Sequence, residues 1–176
     1  MNDTDKQPTG VSHTGAPVGV CTFSASGPHL PVPSLLAIDC GLKTGLALFA
    51  LPGKLLWYRS RNFGSRTRLK KAVWQILKQN AGLQQLVVEG GGPLAEIWLK
   101  AGEKRGLQVT LVQAELWRKD LLLPRQQRSG KQAKQVADDL ARELIEQSGA
   151  AKPTSLRHDA AEAILVGWWA ITAERP

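Results

Sequence analysis

From Leu35 the chain alternates apolar runs with short breaks: LLAIDC at 35–40, TGLALFAL at 44–51 and KLLWYRS at 54–60, with Gly41 and Pro52-Gly53 between them. Runs of this length bounded by turn residues predict strands, and breaks this short predict an antiparallel meander. The period then changes. Leu69, Ala72, Val73, Ile76 and Leu77 recur at helical spacing behind Ser65, a capping residue, and Asn80-Ala81-Gly82 stops the helix. LQQLVVE at 83–89 reads as a fourth strand, broken by Gly90, Gly91 and Gly92, and Pro93 opens a helix to about residue 105. GLQVTLV at 106–112 is a fifth strand. A short helix over 114–121, a polar basic loop, a long helix from Ser129 to about 147 and a last helix over about 156–173 complete the pattern. The long helix carries an apolar stripe of Ala133, Val136, Ala137, Leu140 and Leu144. The order βββαβαβ followed by helices predicts an α/β domain, a mixed five-stranded sheet flanked by helices.

Residues 1–34 are rich in Gly, Pro, Ser and Thr and show no period, which predicts a disordered N-terminal tail ahead of one folded domain at 35–176. No apolar run reaches the roughly 18 residues of a membrane span, and no basic start leads into an apolar block. The expectation is a soluble cytoplasmic protein without membrane contact. Organellar targeting stays open, although the first arginine is Arg59 and Asp3 and Asp5 come early, unlike an Arg-rich, acid-poor transit segment. Cys21 and Cys40 lack metal-ligand spacing and read as incidental or small buried thiols.

Charge narrows the class of partner. The net charge is +8, yet Asp3, Asp5 and Lys6 are the only charges before residue 35, so the rest carries +9. No acid stands between Cys40 and Val88, where Lys43, Lys54, Arg59, Arg61, Arg66, Arg68, Lys70, Lys71 and Lys78 all fall. A second basic block, Arg118, Lys119, Arg125, Arg128, Lys131 and Lys134, is opposed by Asp120 alone. Such asymmetry favours a polyanion such as nucleic acid, because bound phosphates release their condensed counterions; a merely soluble surface is the plainer alternative.

Acids stand out against this background. Asp39 sits inside an apolar strand that ends on a glycine turn, and an unpaired carboxylate there costs several kcal/mol unless it is neutralised, paired or metal-bound. Glu89 repeats the arrangement, and ligand sites of open α/β sheets lie beyond strand ends. In RHDAAEA, Asp159 and Glu162 are three apart at the start of a helix and share one face, with Ala160, Ala161 and Ala163 allowing close approach to the sheet. Taken singly, each acid also reads as an ion pair or as an answer to a helix dipole. Taken together, several carboxylates on one fold suit two adjacent divalent cations and phosphodiester hydrolysis.

These stretches resemble the RuvC-like Holliday junction resolvases of the RNase H-like superfamily. AIDCGLKTGLALF is similar to that family's first strand and hairpin, LVVEGGG to its central strand ending in glutamate, and DAAEAILVG to its C-terminal helix with two acids. QAELWRKDLLL and SGKQAKQVADDLARELI resemble the connection in which a lysine-bearing helix faces DNA, so the likeness spans about residues 35–172. It implies an RNase H-like fold and a metal-dependent endonuclease acting on branched DNA, in which Asp39, Glu89, Asp159 and Glu162 are catalytic and hold two Mg²⁺ or Mn²⁺ ions. His158 would adjust a ligand or shuttle a proton, or simply bond backbone. Lys131 and Lys134, with Arg125, Arg128, Arg66 and Arg68, are the candidates for nucleic-acid contact. A junction offers symmetric strands, so a homodimer working on four-way DNA in recombination and repair, close to the nucleoid, is expected.

Two positions depart from the family. Cys40 stands where proline is usual, and it should point away from the Asp39 face. Gly91 and Gly92 replace an aromatic wedge, which weakens junction recognition more than nuclease chemistry. Three other readings compete: a YqgF-like nuclease processing ribosomal RNA precursors, a sugar-kinase or actin-like ATPase, and a catalytically silent nucleic-acid-binding module. The ATPase fold needs two such domains, more than 176 residues provide. Among the tryptophans, Trp74 and Trp98 lie in amphipathic helices and Trp168 and Trp169 near the end of the last one, where core or subunit packing is expected; Trp57 beside Tyr58, Arg59 and Arg61 is the better candidate for base stacking.

Overall fold

The computed structural model describes residues 32–127 and 129–173. Arg128 and nearly all of the expected N-terminal tail lie outside them. Five strands, β1 (Ser34–Asp39), β2 (Lys43–Ala50), β3 (Lys54–Asn62), β4 (Leu83–Glu89) and β5 (Gln108–Val112), form one sheet in the order β3-β2-β1-β4-β5. The first three pair antiparallel because short turns join them. β4 and β5 pair parallel to β1 and β4, because helices α1 (Arg66–Gln79) and α2 (Gly92–Lys104) carry the chain back each time. The mixed five-stranded sheet flanked by helices is therefore the one read from the apolar pattern.

Strand alternation divides the core in two. Leu36, Ile38, Leu46 and Leu48 pack under α1 and α2, while Leu35, Ala37, Ala47 and Phe49 pack on the opposite face. That second face is covered by α5 (His158–Ala173), with α4 (Gly130–Ser148) lying against it and α3 (Ala114–Leu121) contributing buried Trp117. α5 is buried continuously from Ala160 through Gly167, as expected of a helix apolar on nearly all sides. Its approach to the sheet depends on glycine. A Cβ on Gly45 would stand 1.8 Å from the backbone oxygen of Asp159, and one on Gly167 2.4 Å from the Phe49 ring.

All five helices begin at the sheet end where β1 and β4 finish, α3 directly after β5. β3 runs parallel to β1, so α1 starts there; α2 follows Glu89 directly. The first turn of α5 rests on Gly45, the register partner of Asp39. α4 brings Asp138 beside His158 near this end and Leu144 beside Phe49 and Leu55 at the other.

Three local features differ from the sequence reading. α5 begins at His158 rather than near Leu156, with the Arg157 carbonyl accepting the first helical bond, from the Ala161 N–H at 3.0 Å. In the basic loop Pro124–Gln127 winds into a 3-10 turn, held by the Gln127 side-chain amide, which donates to the Leu122 and Arg118 carbonyls at 2.9 and 3.1 Å. Trp74 is 48% exposed in a cleft between α1 and α2, whereas Trp98 is fully buried. Among the described residues no helix is long and apolar enough to cross a membrane.

Gly45→Ala is expected to destabilise the protein by about 3 kcal/mol or more, since its methyl would meet backbone that cannot yield without lifting α5. Gly102→Ala, whose methyl would meet only the Leu86 and Val109 side chains at 2.8 Å, should cost less. Urea unfolding of the two variants measures the difference.

Candidate active site

The parallel register of β1 and β4 pairs Asp39 with Glu89, so both carboxylates leave the sheet side by side. Strand alternation sends both to the α5 face, because Leu35, Ala37 and Val87 two and four residues back lie in that core. Cys40, one residue on, packs on the other face, and burial, helped by the Asp39 charge, pushes its thiol up to about 11. It is an inert packing group there. α5 completes the set: its contact on Gly45 lowers Asp159 onto the sheet, and Glu162 follows one turn later.

The two strand-end acids lie in a strongly electronegative, largely buried setting. Glu89 and Glu162 are only 5% and 9% exposed, and Asp39 is half-buried. Burial raises the Asp39 pKa to about 8, reinforced by the charges of Glu162, Glu89 and Asp159 and opposed by Arg118. Burial likewise raises Glu89 to about 7, with Glu162 adding repulsion and Trp117 and Arg118 opposing it. Glu89 Oε2 is buried without a hydrogen-bond partner, and the buried Trp117 indole N–H beside this carboxylate does not close a hydrogen bond of normal geometry.

The helix acids have partners. Asp159 Oδ2 accepts from Ser60 Oγ at 2.5 Å, possible because Ser60 continues the row Asp39, Gly45, Ser60 across three strands. Glu162 Oε1 is paired with the Arg118 guanidinium and lies 3.4 Å from His158 Nε2. His158 Nδ1 lies 3.4 Å from Asp138 Oδ1, so the ring has a carboxylate at each nitrogen, and a neutral imidazole donates to only one of them.

All-oxygen, mutually repelling carboxylates suit a hard divalent cation, and the partnerless Glu89 oxygen is a free donor for one. With Glu162 drawn to Arg118 and Asp159 to Ser60, no three His, Cys, Asp or Glu side chains among the described residues close on a single ion position. The donor set fits such an ion; the present rotamers of the two helix acids do not yet grip it.

The basic candidates divide between the two faces of the sheet. Lys131, Lys134 and Asp138 share a helical face of α4, and Asp138 faces His158, so the two exposed lysines continue that stripe about 6 and 10 Å toward the helix start. Arg125 is exposed on the 3-10 turn. Arg66 and Arg68 are exposed in the first turn of α1, at the same sheet end but on the other face. Trp57 carries the Arg59 guanidinium 5.0 Å above its ring, so that stacking face already holds a cation. Sequence reasoning passed over Ser60, Trp117 and the role of Arg118. Ser60 was recoverable from hairpin register; Trp117 and Arg118 come into play only through the return of α3 to the end of β4.

No protein-family model matches the chain, and no curated protein does. The sheet order, the strand-end acids and the helix laid across them define an RNase H-like fold. Among solved structures, the chain is similar to T. thermophilus RuvC, solved in complex with a Holliday junction substrate: 18% identity, TM-score 0.57, over 80% of this chain and 94% of that one. At that identity the likeness is one of fold. A chain of a simian T-cell lymphotropic virus intasome, in complex with PP2A regulatory subunit B56 gamma, aligns at 9% identity over 78% of this chain and 48% of that one, with a TM-score of 0.29, too low to carry an argument.

A carboxyl whose pKa is raised by folding stabilises the protein below its unfolded value, near 4, and that contribution is lost as pH rises through the folded value. In EDTA, stability should therefore fall between about pH 4 and the values of about 7 for Glu89 and about 8 for Asp39. Asp39→Asn should be more stable than wild type by about 1–3 kcal/mol at pH 9 and nearly equal to it at pH 4, as read by urea unfolding.

Proposed function

We propose that this protein is a divalent-metal-dependent endonuclease that hydrolyses phosphodiesters of branched DNA, with the four-way junction as preferred substrate. The reading is carried by the in-register pair Asp39 and Glu89 meeting the first turns of α5 beneath the basic start of α4. The fold likeness to a RuvC solved with a Holliday junction supports the choice of substrate.

In this reading Asp39, Glu89, Asp159 and Glu162 hold two Mg²⁺ or Mn²⁺ ions. Bound there, the ions lower the pKa of an attacking water and stabilise the leaving oxygen. The chain's own contributions are positional. The β1–β4 register sets the spacing of Asp39 and Glu89, and the Gly45 contact sets the depth of Asp159. Ser60 and His158 orient the two helix acids. Lys131 and Lys134 receive the backbone phosphates as flexible point charges, aided by the positive start of α4. A homodimer would present two such clusters to the symmetric strands of one junction.

Labelled four-way, flap and linear duplex DNA, incubated with Mg²⁺ or with EDTA, tests the proposal. Paired symmetric nicks in the junction are expected, with Asp39→Asn at least 100-fold slower yet binding the junction normally, because each missing carboxylate removes ion affinity and transition-state charge stabilisation. No Mg²⁺-dependent product from any substrate would refute the nuclease reading. Lys131→Ala with Lys134→Ala should weaken binding to all three DNAs alike and lower the slope of log K against log salt by about 2.

A further inference from the structure

We propose that Arg118 competes with divalent cations for Glu162, acting as a tethered counter-cation of the carboxylate cluster. The inference rests on the nuclease reading above and adds to it a control on ion loading. Arg118 and His158 both address the same oxygen, Oε1, of a carboxylate that is almost fully buried. A carboxylate oxygen engaged by a guanidinium N–H presents less of its lone-pair density to a metal, so ion and arginine compete for it.

Arg118 has a second place to rest. Its side chain is 33% exposed, and it projects from the eight-residue helix α3, anchored by fully buried Trp117. The guanidinium lies 5.1 Å from the Trp117 ring centroid, so an aromatic face is at hand to hold the charge when Glu162 leaves it. Its reach is also broader than one partner, since its charge opposes the raised pKa values of both Asp39 and Glu89. One guanidinium offsets a single unit of a cluster of four acids, whereas two divalent cations offset all of it. The competition is thus decided by ion concentration, and Arg118 raises the concentration required.

Terbium luminescence sensitised by tryptophan, Trp117 lying beside Glu89, gives a readout independent of cleavage, with Mg²⁺ and Mn²⁺ measured by displacement. Arg118→Gln is expected to bind terbium about tenfold more tightly than wild type. Arg118→Lys, which keeps the charge but loses the fork, should fall between them. In the Glu162→Gln background the same Arg118→Gln change should tighten binding much less, because the contested group is gone and only the Arg118 charge on Asp39 and Glu89 remains to be lost. Should Arg118→Gln prove poorly folded, the Arg118→Lys value in the two backgrounds decides by the same criterion. Unchanged or weaker binding in the arginine variants overturns the competition while leaving the nuclease reading intact, and so does equal tightening in both backgrounds. If neither wild type nor any variant binds ions at millimolar concentration, the nuclease reading falls and this inference with it.

Discussion

Like charges forced together at one end of a sheet are the condition to which the rest of this structure responds. Asp39 and Glu89 cannot separate, because the parallel register of two buried strands holds them as neighbours. Asp159 cannot retreat, because its backbone lies on Gly45 and the helix behind it is buried for most of its length. Repulsion in a low-dielectric setting is strong and is relieved only by protonation, by an opposing cation or by both. The raised pKa values, the Arg118 pair and the doubly addressed imidazole of His158 are all expressions of that relief. A site with this much unrelieved charge is costly to fold, and such cost is ordinarily met where chemistry demands it.

Most of the fold was legible from periodicity. Glycine and proline breaks separated the first three strands, and the switch to helical spacing at Leu69 announced the crossover that makes the rest of the sheet parallel. The acids were legible for a physical reason: a carboxylate within a run such as LLAIDC stands out because burial opposes it. Less legible was whatever depends on a distant segment returning. Arg118 looks like one more cation in a basic block until α3 folds back against β4. Trp74 falls outside its helix's stripe of Leu69, Ala72, Val73, Ile76 and Leu77, on the side of Lys70, Lys71 and Lys78, and its ring stays exposed in the cleft toward α2. Gly45 reads in sequence as one more position of the second strand, and only the packed helix above it reveals a steric requirement.

Ion pairing in the site illustrates how weak a criterion proximity is. Four acids converge at one sheet end, and Asp39 and Glu89 carry the raised pKa values, but the two acids from α5 are turned toward Ser60 and Arg118. Elements fix where side chains originate; rotamers and rival partners fix where they end. Backbone register and helix seating place the four carboxylates, while the aim of Asp159 and Glu162 follows the Ser60 hydroxyl and the Arg118 guanidinium that they meet.

One consequence of the common origin of the helices reaches beyond the crevice. Peptide dipoles add along each helix, so the helices that start at this sheet end bring their electropositive termini to the same end of the molecule as its acidic cluster. An approaching polyanion would be oriented by the field of these termini before any local contact forms, and would arrive with its phosphates turned toward the strand ends.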